Sequence, residues 1–222
     1  MKKVIVMSLL LLVGFLSAGA VDLNKENRDP KYVESIVGRS QKIVDKLGIT
    51  DAKRAEEVRN IIANRYFALN DIYETRDKKV KEIKESALTG DAKSNALKVA
   101  ENEKESALYR SHFAFPGDLS LFLDEKQVEA VKDGMTYGVV MVTYKATTDM
   151  IPTLKADEKA QIMAWLIEAR EFAMDAENSN KKHEAFGKYK GRINNYLSQR
   201  GYDLKKEREE WYKRIKAKGG TI

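Results

Sequence analysis

Apolar positions recur at the spacing of one helix face through almost the whole chain. Val33, Ile36, Val37, Val44 and Leu47 form the first stripe. Asp29-Pro30 precedes it as an N-cap followed by proline at the first helical position, and Gly48 closes it. Thr50 is placed to cap the next helix. That helix carries Val58, Ile61, Ile62, Leu69, Ile72, Tyr73, Val80 and Ile83 over residues 51–88. Thr89-Gly90-Asp91 reads as a turn, followed by a helix to about residue 111 with a polar middle at 101–106. The two predict a long antiparallel hairpin whose tip projects into water. Pro116-Gly117 predicts a break.

Asp124 with Gln127 is a capping-box pattern for a short helix ending at Gly134. Residues 139–144 are rich in β-branched side chains, so one short extended segment is an alternative there. Helix is preferred because no second strand is evident to satisfy its backbone. Ile162, Trp165, Leu166, Ala169, Phe172, Ala173 and Ala176 make the apolar face of a helix over 156–177. Ser179 and Gly201 bound the next, and a last helix spans 203–218 with Leu204, Trp211 and Ile215. The expected fold is all-α: a multi-helix bundle with a long hairpin. Residues 21–222 are read as one domain, with the first helix and hairpin over 21–113 and the remaining helices over 114–222.

The N-terminus does not fit this pattern. Lys2 and Lys3 precede an apolar run from Val4 to Leu16, and Ala18-Gly19-Ala20 is a small-residue cleavage site. Residues 1–20 therefore read as a cleavable signal peptide, with cleavage after Ala20 and a periplasmic or secreted product. No segment of the mature chain is expected to span a membrane. Without cysteine there is no disulfide, thiolate metal site or cysteine nucleophile. The formal net charge is +6, but residues 181–218 alone carry +8. A basic C-terminal third suggests an anionic partner. Export argues against nucleic acid and leaves acidic polysaccharide, lipid headgroups or a protein. The alternative is a solvated basic helix face.

The stretch from Trp165 to Leu204 is the least ordinary part of the chain. On a helical wheel Phe186, Ile193 and Leu197 face the core, with Tyr189 and Tyr196 on one flank. On the other flank lie His183, Lys190 and Asn194, beside Gly187 and Gly191. Each glycine costs a helix about 1 kcal/mol relative to alanine. Such a strip implies close approach of another helix or of a ligand. Trp165 and Phe172, seven residues apart, are either core or a stacking face bordered by carboxylates and amides, which suits sugar rings. The candidate ligand-binding set is Trp165, Glu168, Arg170, His183, Tyr189, Lys190, Arg192, Asn194, Asn195 and Tyr196. Glu168, Glu171 and Asp175 share a helix face, and paired carboxylates can hydrolyse glycosides, but most such stripes are solvated.

The strings KDGMTYG (132–138), AREFAMD (169–175), FGKYKGRINNYL (186–197) and GYDL (201–204) resemble a family of secreted proteins from Bacteroidetes-type bacteria. Its domain is of unknown function and provisionally described as sugar-binding. The resemblance spans nearly the whole mature chain and implies export and an association with glycan use. It supplies no catalytic residues. A weaker similarity, to periplasmic helical-hairpin chaperones with LTxxQ motifs, fails at the second position of Leu123-Asp124-Glu125-Lys126-Gln127.

No zinc-protease, serine-hydrolase or phosphate-loop motif is present, and no cofactor is expected. The two histidines, His112 and His183, lie on different helices without metal-ligand spacing. Each reads as a buried or interfacial side chain with one hydrogen bond. The expectation is an exported, non-catalytic carbohydrate-binding protein, with acidic uronate-containing glycans as the ligand its basic third favours. The alternatives are a glycan-active enzyme, most plausibly a lyase with His183, Tyr189, Lys190, Arg192 and Asn194 as its residue types, and a chaperone-like or structural helical protein. The oligomeric state is not legible.

Overall fold

The computed structural model describes residues 21–220, and all regular structure among them is helical. The expected signal peptide lies outside the described residues. There are eight described helices: α1 (Pro30–Val44), α2 (Ala52–Glu85), α3 (Gly90–Ser120), α4 (Glu125–Met135), α5 (Val139–Met150), α6 (Ala156–Met174), α7 (Ser179–Gln199) and α8 (Leu204–Ala217). None is long and apolar enough to cross a membrane.

The cap chemistry explains most boundaries. Asp29 accepts from the Tyr32 amide at 2.9 Å, and the Asp124–Gln127 capping box is fully formed. Two N-caps differ from expectation by one residue. Asp51 rather than Thr50 opens α2, and Asn178 rather than Ser179 opens α7; each side chain accepts an amide hydrogen bond.

Residues 139–144 are helical, not extended. Gly138 supplies a left-handed turn (φ 66°) that lets α4 pass directly into α5, which buries Val140. Pro116 is the larger surprise, because α3 runs straight through it. An interior proline costs a helix about 3 kcal/mol. Phe115 and Leu119 are buried on either side of it. Burying two such side chains contributes about 3–6 kcal/mol, which outweighs the break.

The apolar core forms two clusters. The first joins α1–α4 around Val58, Ile62, Phe67, Leu119 and Val131. The second joins α5–α7 around Ile162, Leu166, Phe186, Ile193 and Leu197. α6 ties them together, since its Met174 belongs to the first cluster while Ala169 and Ala173 belong to the second. α8 buries no residue fully. It is held by polar contacts from Trp211 Nε1 to Asp149 (2.6 Å) and from Arg214 to the carbonyls of Asp149 and Met150.

Candidate functional site

One face of α6 organises the site. Trp165, Glu168, Phe172 and Asp175 fall within a quarter-turn of each other on it. From Trp165 to Asp175 the strip is about 15 Å long at 1.5 Å per residue. A pocket lies at one end and an open groove at the other.

The pocket encloses about 420 Å³ between the α2–α3 hairpin and the end of α6. Its rim is aromatic and exposed: Phe172 (63%), Phe113 (62%) and Tyr109 (69%). Its polar lining is His112, Glu171, Asp175, Glu105 and Tyr73. His112 Nδ1 shares a 2.8 Å hydrogen bond with Asp175 Oδ2, and Nε2 lies 3.6 Å from Glu171 Oε2. Arg65, whose side chain is 3% exposed, pairs with the other oxygen of Asp175. The Tyr73 hydroxyl donates to the Asp175 carbonyl at 2.8 Å, satisfying an acceptor left over at the end of α6. The hydrogen bond to Asp175 raises the His112 pKa above its ordinary 6.5, partly opposed by burial. The result is an imidazole fixed at Nδ1, with Nε2 available to accept or donate a hydrogen bond at the pocket floor.

The groove, about 560 Å³ and open to solvent, is lined by Trp165, Lys188, Gly191, Arg192, Asn195, Tyr196 and Gln199. The Arg192 guanidinium lies 4.6 Å from the centre of the Trp165 ring, and Tyr196 meets that ring edge-on at 5.1 Å. Arg192 also approaches Glu168 at 3.6 Å. Phe172 stacks on Tyr189 at 6.4 Å. Burial, and then the adjacent Glu168 carboxylate, push the Tyr189 phenol up to about 12. Phe172, Tyr189, Glu168 and Arg192 thus connect the pocket to the groove.

Of the ten candidate residues, Trp165, Glu168, Tyr189, Arg192, Asn195 and Tyr196 are brought together in this way. Four are not. Arg170 is a correction. Its side chain is only 4% exposed and clasps α4, bonding Asp133 at 2.8 Å, Glu129, and Glu171 at 3.0 Å. Burial works against its charge, but Asp133 and Glu129 more than offset that and raise its pKa. His183 is exposed and stacks on Tyr137 at 5.8 Å, and Lys190 and Asn194 point to solvent.

The glycine strip is not a helix crossing, because a Cβ at Gly187 or Gly191 would meet nothing within 4 Å. The close crossing is at Gly134, where a Cβ would sit 2.9 Å from Ile43 Cγ2. Phe172, expected on the core face as well as on a stacking face, is on the exposed side.

The hairpin half of the pocket was not anticipated. Tyr109, His112 and Phe113 lie more than 50 residues before Glu171 and Asp175, and nothing in sequence links the two groups. The one available signal was the carboxylate stripe on α6, two of whose three members line the pocket. Among the described residues no three His, Asp or Glu side chains are placed to hold a metal ion.

The fold and site together define an all-α bundle with an aromatic-rimmed pocket over a histidine–carboxylate floor. Residues 33–217 match the model of a family described as a protein of unknown function, DUF3826, and the chain belongs to that family. No curated protein matches the chain.

Proposed function

We propose that this chain is an exported, non-catalytic carbohydrate-binding protein of glycan utilisation. One observation carries the reading: three solvent-exposed aromatic rings stand around a pocket floored by fixed hydrogen-bonding groups. A sugar presents C–H faces that stack on such rings, and hydroxyls that need paired donors and acceptors. The carboxylates are already held in position by cations behind them: Arg65 on Asp175, Lys132 and Arg170 on Glu171, and Lys104 on Glu105. The N-terminal Lys2-Lys3, apolar run and Ala18-Gly19-Ala20 support export.

A second reading, an enzyme acting on the bound glycan, is favoured by the His112–Asp175 pair, which has the form of a positioned acid–base group. Uronate elimination fits this pocket poorly, because the cations that could offset the substrate's carboxylate are already paired with the carboxylates lining it. The hairpin's exposed faces carry ion pairs such as Lys79–Glu103 and Arg76–Asp77, which suit solvent better than a chaperone's apolar clients.

A glycan array probed with the mature chain tests the proposal, with product release followed in parallel. Binding that Phe172→Ala abolishes, without product, is the expected result. Array-wide failure to bind refutes the proposal, and product formation moves it to the second reading.

A further inference from the structure

We infer that the groove beside Trp165 is a second subsite that takes an anionic sugar unit, while the pocket takes an uncharged one. This rests on the carbohydrate-binding reading above. The two cavities lie on one face of α6 but present opposite charge. The charged groups lining the groove are Lys188 and Arg192, accompanied by the amides Asn195 and Gln199. Among the described residues, the charged groups lining the pocket are Glu105, Glu171 and Asp175, with His112 the one basic group.

Arg192 is half-exposed, and its counter-charge Glu168 is 3.6 Å away and equally exposed, so its charge is not neutralised by a tight partner. A planar guanidinium beside two amides suits bidentate recognition of a sugar carboxylate. Tyr196 and the part of Trp165 not covered by the Arg192 guanidinium supply the apolar surface for the ring. In the pocket the nearby cations Arg65, Lys104, Lys132 and Arg170 are already paired with its own carboxylates, so a sugar carboxylate would compete for them, whereas hydroxyls find acceptors. About 15 Å separates the two ends of the strip, so one short oligosaccharide spans both. The ligand class is therefore a mixed glycan with an acidic unit a few residues from a neutral end, rather than a neutral chain or a continuous run of uronates.

Three trisaccharides test this on the mature chain by titration calorimetry: xylotriose, xylobiose bearing one glucuronate, and trigalacturonate. The mixed probe should bind tightest, by about tenfold or more, and lose that preference in high salt as the Debye length contracts. Gly191→Leu fills the groove without meeting any neighbour within 4 Å at its Cβ, so the fold is kept. It should bring the mixed-to-neutral ratio close to one, as should Arg192→Ala. If all three probes bind but trigalacturonate is tightest, or if Gly191→Leu leaves the ratio unchanged, the subsite inference is overturned and the carbohydrate reading stands. If none of the three binds, the subsite inference is overturned, and the carbohydrate reading falls with it only if the glycan array is also blank.

Discussion

Replacing Asp175 with alanine removes the carboxylate that joins α2, α3 and α6. Arg65 would keep its charge in a site where its side chain is 3% exposed, without its ion-pair partner. Stranding one half of a buried pair costs about 3–5 kcal/mol. Asp175 itself is 17% exposed and borders the pocket, so water can enter the vacated space, and the lower end, about 3 kcal/mol, applies. For a chain of this length that corresponds to a melting temperature lower by about 6–12 °C.

The same substitution has a pH signature. His112 has a folded-state pKa above its unfolded value. Its contribution to stability is therefore complete below the unfolded pKa, near 6.5, and is lost as pH rises through the raised folded value. Asp175→Ala removes the chief cause of the raise, so the variant should lose less stability than the wild type between mildly acidic and alkaline pH. Urea melts across that range measure this. Proton NMR gives the His112 midpoint directly, because His183 is the only other histidine. A destabilisation under about 1 kcal/mol, or an unmoved His112 midpoint, would refute the account of Asp175 as the post on which the pocket is built.

Phe172→Ala should leave the urea midpoint within about 0.5 kcal/mol of wild type, since the ring is mostly exposed, while glycan affinity measured by calorimetry collapses. Lys182 is buried, with its ammonium on the Met135 carbonyl at 3.2 Å, and burial followed by Arg39 lowers its pKa to about 8. Lys182→Met should therefore stabilise the protein at neutral pH by about 1–3 kcal/mol, a gain that shrinks as pH rises from about 8 to 10.5, where the unfolded lysine also loses its proton. Gly134→Ala should cost about 1–3 kcal/mol in the same melts, because its methyl must displace the buried Ile43 side chain.

The helices were legible because amphipathic spacing and cap chemistry are local. Asp29-Pro30, the Asp124–Gln127 box and the stripe on α6 announce themselves within a few residues. Pro116 misled because its penalty is local while the burial that offsets it comes from the helices packed against α3, chiefly α2, which is distant in sequence from it. The glycine strip left a helix crossing and a ligand groove both open, and only the structure removes the crossing. Gly187 and Gly191 have the spacing of a crossing but face open space, whereas Gly134, alone in its helix, is where α1 and α4 touch.

Residue type also failed to separate Arg170 from Arg192, although only one of them is available to a ligand. Arg170 lies on the side of α6 that meets α4 and finds Asp133 and Glu129 there. Arg192 lies on α7, over Trp165, with one distant and exposed partner. The difference is set by what α4 presents to α6, which no window of sequence around either arginine contains.

Glu171 stands between the Arg170 clasp and the pocket, and its position ties the orientation of the pocket lining to the packing of the helices. One of its oxygens is bound by Arg170, and the other faces Lys132 at 3.3 Å and His112 at 3.6 Å. The clasp that fastens α6 to α4 therefore also orients a carboxylate in the pocket. Asp175 is held in the same manner by Arg65 from the hairpin side. A hydroxyl arriving at either group meets an acceptor whose orientation is already set by interactions that fold the chain. Little side-chain freedom remains to be lost on binding, and the aromatic rim supplies the contact area. Weakening the α4–α6 clasp should therefore loosen the pocket even though Arg170 itself never reaches it.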